Sequence, residues 1–251
     1  MPRKTGFATI TLIILAAPLT STFSGSPETI EETKESYVIQ EKSISVERFA
    51  PKAPGKHPAI LILHGSTGPD VTGGGLMYRD LGRELAKQGY VAFMPHYFER
   101  TGTKTADLKT STDNFVTWME TIYAATEFIS KRDEIDAEKI GVVGFSLGGY
   151  LSLSEPLFDQ RVKVVVDYFG GMPEQLVDCA HKLPPTLVLH GEADPIVSVK
   201  EAEKVEKLLI QHKIEHEVKI YKGQGHGILG SDGEDAQKRA IAFLDKHLKS
   251  S

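Results

Sequence analysis

The chain has a single cysteine, Cys179, among 251 residues. One thiol closes no internal disulfide, so the fold must stand on its core alone. Cys179 also lacks the setting of a nucleophile. It lies in Val177-Asp178-Cys179-Ala180-His181, without a glycine-flanked turn to expose its sulfur, and reads as a half-buried small side chain. Metal-ligand spacing is missing as well. The nine histidines form no H-E-x-x-H pair and join no cysteine ligand set, so neither a metal nor another cofactor is expected. There is no excess of positive charge. The net charge is −5, with lysine and arginine dispersed among acidic residues, which describes a solvated surface and excludes a nucleic-acid footprint. Internal repeats at solenoid spacing and long low-complexity stretches are absent. The N-terminal apolar run, Phe7 to Leu19, falls short of the roughly 20 residues that a membrane helix requires.

What that run does resemble is a secretory signal. Arg3-Lys4 precedes it, and small and polar residues from Thr20 to Gly25 follow it. Residues 1–24 are expected to be a signal peptide cleaved after Ser24, residues 25–36 a polar, acidic linker, and residues 37–251 a single domain. The mature protein is then exported, to the periplasm or beyond, and carries no membrane span. Its 40% apolar and 25% charged content is that of a globular chain with one sizeable core.

Strand and helix patterns alternate along that domain. Tyr37 to Gln40 and Ser43 to Phe49 read as opening strands. Ala59 to Leu63 is a continuous apolar run of strand length, typical of a strand covered on both faces. Leu76 to Gln88 reads as a helix closed by Gly89, and Tyr90 to Met94 as a strand stopped by Pro95. Thr101 to Thr112 reads as a loop, and Phe115 to Lys131 as a helix with Phe115, Met119, Ile122 and Tyr123 on one face. Further strands are expected over Val162 to Tyr168, Thr186 to Leu189 and Glu217 to Tyr221, and helices over Val199 to Gln211 and Asp235 to Leu248. This alternation predicts an α/β fold with a mostly parallel sheet and helices on both faces. Right-handed crossovers gather the loops that follow the strands along one edge, where functional groups collect.

Gly144-Phe145-Ser146-Leu147-Gly148 is the sharpest signal in the chain. It reads G-x-S-x-G between an apolar run and a helix pattern, the context of a nucleophile elbow. Flanking glycines have no Cβ to collide with the neighbouring strand and helix, so the serine hydroxyl can rise above the sheet edge. His226, flanked by glycines after the last strand, is the candidate base; an imidazole titrates near neutrality and can take and return the serine proton. His64 and His190 each end a strand before a glycine and are expected to bond loop backbone instead. Asp194, held extended before Pro195, is the candidate acid, with Asp167 and Glu192 as alternatives. The order Ser146, Asp194, His226 is the hydrolase order of nucleophile, acid and base. For the oxyanion, the backbone N–H of Leu147 stands at a helix N-terminus, and the second donor should come from the loop after Leu63, at Ser66 or Thr67. Candidate pocket walls are Tyr97, Phe98, Arg100, Phe169 and Ile228.

These stretches together resemble the dienelactone hydrolase family of α/β-hydrolases: G-F-S-L-G-G from Gly144, His190-Gly191-Glu192-Ala193-Asp194, and Gly225-His226-Gly227. The resemblance covers residues 37 to 248 and leaves no room for a large cap insertion. It implies an eight-stranded hydrolase sheet and hydrolysis of carboxylic esters or lactones, with small-molecule substrates. Three positions depart from the family pattern. Ser146 stands where the founding activity uses cysteine, Gly65 where a glutamate is found, and Ile228-Leu229-Gly230 where an arginine meets the substrate carboxylate. Against the family's pattern, these changes point to a serine carboxylesterase with a neutral or apolar acyl-side pocket. An amidase or peptidase would use the same triad. A non-catalytic binding protein on this fold would be expected to have lost a triad member, and all three are present.

Overall fold

A computed structural model describes residues 29–70 and 74–249. One sheet holds β1 (Ile30–Ile39), β2 (Lys42–Pro51), β3 (His57–Leu63), β4 (Val91–Pro95), β5 (Ile135–Phe145), β6 (Val162–Tyr168), β7 (Thr186–Gly191) and β8 (His216–Tyr221). The helices are α1 (Gly74–Lys87), α2 (Leu108–Ser130), α3 (Leu147–Ser154), α4 (Lys200–Gln211) and α5 (Gly230–Leu248). The strands lie in the order β1-β2-β4-β3-β5-β6-β7-β8. β2 pairs antiparallel with both β1 and β4, and every other pairing is parallel. This is the mostly parallel, eight-stranded α/β-hydrolase sheet that the motifs implied.

The central strands are apolar on both faces because both faces are covered. Leu61, Leu63, Val142 and Val165 point into one core, built with α2, α3 and α4. Ile60, Ile62, Val143, Val164 and Val166 point into the other, built with α1 and α5. Among the described residues no insertion forms a separate cap over the strand exits, so the α3 end of the sheet is bordered only by connecting segments and α2.

Several boundaries differ from the sequence reading: α5 begins at Gly230 rather than at Asp235, β5 begins at Ile135, and two further differences carry more weight. The expected linker over residues 25–36 is mostly strand, since β1 begins at Ile30. Its described acidic residues, Glu31, Glu32 and Glu35, are not solvated spacers; they lie on an edge strand, and each finds an arginine. Glu31 and Glu134 hold Arg48, Glu32 holds Arg83, and Glu35 holds Arg132. Charges on an edge strand also discourage pairing with other chains. The second difference is α2, which starts at Leu108 rather than at Phe115. Asp107 accepts the N–H of Thr110 at 2.8 Å and caps the helix inside what reads as a polar loop. The signal peptide expected over residues 1–24 lies outside the described residues.

Candidate active site

Ser146 is the only residue between β5 and α3, and it holds φ 56° and ψ −115°. A positive φ is strained for any residue with a side chain, and here surrounding contacts enforce it. A Cβ on Gly144 would lie 2.0 Å from the Gly148 carbonyl oxygen, and one on Gly148 would lie 2.1 Å from that of Leu63. Only glycines let the helix start so close to the strands. Hydrogen bonds lock the turn on both sides: Ser146 N–H donates to the Tyr168 carbonyl at 2.9 Å, and the Ser146 carbonyl accepts from Gly149 at 2.8 Å and Tyr150 at 3.1 Å.

The loops after β7 and β8 bring the other two groups to this turn. His226 Nε2 lies 2.8 Å from Ser146 Oγ, and its Nδ1 lies 2.8 Å from Asp194 Oδ2. The Asp194 side chain is wholly buried. Its Oδ1 accepts the N–H groups of Ile196 at 2.8 Å and Val197 at 2.9 Å, which leaves Oδ2 aimed at the imidazole. The competing carboxylates point elsewhere. Glu192 is exposed and accepts from Gly223 N–H, bracing the loop that carries His226. Asp167 is fully buried, with one oxygen on Gly170 N–H and the other without a partner, and burial pushes its carboxyl up to about 8. Phe169 packs edge-on against the His226 ring, with centroids 4.9 Å apart.

His64 and His190 bond backbone, as their positions suggested. His64 Nδ1 meets the Gly65 carbonyl at 2.9 Å, and the ring stacks on Tyr97 at 4.0 Å. Complete burial pushes it down to about 3, so it is neutral. His190 Nε2 meets the Val197 carbonyl at 2.9 Å, and burial lowers its pKa too. It thereby fixes the segment that supplies the two donors to Asp194.

A cavity of about 1270 Å³ opens beside Ser146, bordered by α2, α3, the β1–β2 turn and the loop after β7. Leu147 and Ser66 both line it. Neither N–H donates to a protein acceptor among the described residues, whereas the neighbouring loop groups are engaged: Gly65 N–H with Tyr78 Oη, Gly68 N–H with the Gly65 carbonyl, and the Ser66 carbonyl with Ala106 N–H. Thr67, the alternative donor, is not among the lining residues.

The expected pocket walls are not where this cavity is. Tyr97 and Phe98 are buried; Tyr97 Oη donates to the His64 carbonyl at 2.6 Å, and Phe98 packs on Trp118. Arg100 donates to Gln40 Oε1 and ties down the β1–β2 turn. Phe169 supports His226, and Ile228 packs against the α1–α5 core. The wall that sequence reasoning missed is α2, with Phe115 and Met119 facing the cavity. Its signal was available: Leu108 and Val116 are apolar yet fall off the core-facing stripe, and they are 84% and 70% exposed. No group of three or more histidine, cysteine or acidic side chains among the described residues is arranged to hold a metal ion.

Residues 44–246 match the sequence profile of the dienelactone hydrolase family. The chain belongs to that family. A carboxymethylenebutenolidase homolog from Xenopus tropicalis is 25% identical over 174 residues, 66% of this chain and 70% of that one. Among solved structures, a dienelactone hydrolase-like promiscuous phosphotriesterase from metagenomic libraries superposes with a TM-score of 0.73 at 18% identity, over 87% of this chain and 97% of that one. The acylaminoacyl peptidase of Pyrococcus horikoshii gives 0.72 at 18% identity, over 89% of this chain and only 43% of the peptidase. At such identities the structural likeness is one of fold. Within the family, this chain keeps the α/β-hydrolase sheet and carries serine at the elbow.

Proposed function

We propose that the protein is a serine esterase that cleaves carboxylic ester or lactone bonds of small molecules through an acyl-serine intermediate. The observation that carries this reading is the unbroken hydrogen-bonded chain from Ser146 Oγ through His226 to the buried Asp194. Ser146 Oγ attacks the carbonyl carbon while His226 Nε2 takes its proton. Asp194 holds the Nδ1–H tautomer and stabilises the imidazolium. The carbonyl oxygen becomes an oxyanion facing the N–H groups of Leu147 and Ser66, each worth about 3 kcal/mol to the transition state; the N-terminus of α3 adds its dipole. The imidazolium returns its proton to the departing alkoxide. Water, deprotonated by His226, then attacks the acyl-enzyme, and the imidazolium passes that proton to Ser146 Oγ as the acid leaves.

A fluorophosphonate probe followed by intact-mass measurement tests the nucleophile: one adduct is expected on the wild type and none on Ser146→Ala. That variant should keep its circular dichroism and lose about 10⁴- to 10⁶-fold in kcat. Undiminished turnover by Ser146→Ala would sink the assignment. Export is a separate part of the proposal, resting on Arg3-Lys4 and the run from Phe7 to Leu19. N-terminal sequencing of protein recovered outside the cytoplasm should begin near Gly25.

A further inference from the structure

The cavity at Ser146 is a long cleft, not a small pocket. Its wall on α2 recurs turn after turn, from Leu108 through Phe115, Met119 and Tyr123 to Glu127. At 1.5 Å per residue that stretch is about 28 Å long. On the other side α3 leads from Ser146 to Glu155, which also lines the cleft, a distance of about 13 Å. A bilayer core two acyl chains thick measures about 30 Å, so one such chain is about 15 Å. The cleft therefore has the reach of an extended acyl chain starting at the nucleophile.

Its chemistry is one-sided. Leu108, Val116, Phe158 and Ile196 line it and are 84%, 70%, 62% and 64% exposed, large apolar side chains left open around one cleft, as at a binding surface. Among the described residues no lysine, arginine or histidine lines it, and its charged residues are all acidic: Asp107, Glu120, Glu127 and Glu155. Glu155, at the far end, is 1% exposed; one oxygen accepts from Thr126 Oγ1 and the other has no partner. Burial pushes this carboxyl up to about 8, so near neutral pH its protonated form brings little charge to the apolar end.

We propose that the esters this protein cleaves carry an extended, uncharged hydrocarbon chain that lies along α2 from Ser146 toward Glu155, and that the cleft rejects chains ending in a carboxylate. The inference rests on the esterase reading above and names its substrate class. Each methylene fully buried strengthens binding by about fourfold. Partial burial still leaves p-nitrophenyl octanoate favoured over the acetate by at least about tenfold in kcat/KM. The p-nitrophenyl monoester of octanedioate, equal in length but ending in a carboxylate, should fall about tenfold or more below the octanoate. Val116→Lys, on the exposed wall, should shrink that carboxylate penalty by about tenfold while lowering the octanoate-to-acetate ratio.

Calorimetric titration of 1-decanol into Ser146→Ala separates the two readings. Octanoate preference with a carboxylate penalty supports both. Hydrolysis of the acetate with a flat chain-length profile overturns the cleft inference and leaves the esterase reading standing. Decanol binding by a folded protein that hydrolyses no ester supports the cleft and overturns the esterase reading. Neither binding nor hydrolysis overturns both. A concentration-dependent dimer that abolishes decanol binding would assign the exposed apolar side chains to a second copy of the chain, and overturns the proposal.

Discussion

Two glycines set how the nucleophile is presented. Because a Cβ on Gly148 would sit 2.1 Å from the Leu63 carbonyl oxygen, Gly148→Ala must push α3 away from β3. It should cost about 2–3 kcal/mol of stability, read as a lower urea midpoint, and should lose activity by tilting Ser146. The residue scale is also where the sequence is most legible. G-x-S-x-G after an apolar run, and a histidine between glycines, carry their meaning in a few adjacent letters. The acid does not. Asp167, Glu192 and Asp194 all follow or end a strand on the same edge, and only the direction of each side chain separates them. The two backbone donors at Ile196 and Val197 that aim Asp194 leave no mark in the residue types. The pocket was least legible: Tyr97 and Phe98 follow a strand, as a wall should, yet the chain turns them inward beneath His64.

At the scale of elements, β1 is tied by arginines as well as by its pairing with β2. Arg48, 7% exposed, is held by Glu31 from β1 and by Glu134 from the turn before β5. Arg48→Ala leaves Glu31 without its cation and Glu134 with Arg132 alone, and should lower stability by about 2 kcal/mol in chemical denaturation. High salt should reproduce little of this loss, because the guanidinium is buried. A strand built this way hides in the sequence, since charges at its outward positions look like a linker until their partners are known. The start of α2 is hidden for a related reason: the cap at Asp107 lies in a stretch whose polarity resembles a loop. The central strands gave no such difficulty. Being covered on both faces, they read as unbroken apolar runs.

For the whole molecule, buried carboxyls set the response to pH. Asp167 and Glu155 are pushed up to about 8, chiefly by burial. An unfolded chain releases these protons near pH 4, whereas the folded protein keeps them until about pH 8. The folded state thus binds more protons across that window, and stability falls as pH rises through it. Asp167→Asn should therefore gain in melting temperature relative to the wild type between pH 5 and pH 8, and the gain should vanish near pH 4. A difference independent of pH would show that Asp167 is ionised in the folded protein. Glu47 acts in the opposite direction. Burial pushes it up, but hydrogen bonds from His96 and Arg79 outweigh burial and hold it at about 2. Its contribution is present above pH 4.5 and is lost as pH falls toward 2.

Ile196 and Val197 serve two masters: their side chains line the cleft while their N–H groups hold Asp194. The two walls of the cleft therefore differ in how freely they can change. Val116 and Met119 sit on a helix with no bond to the triad, and a library randomised there should alter which esters are preferred with the catalytic groups undisturbed. An insertion between Asp194 and Val197 should instead depress turnover on every ester alike. The protein has one wall open to adaptation and another tethered to its chemistry.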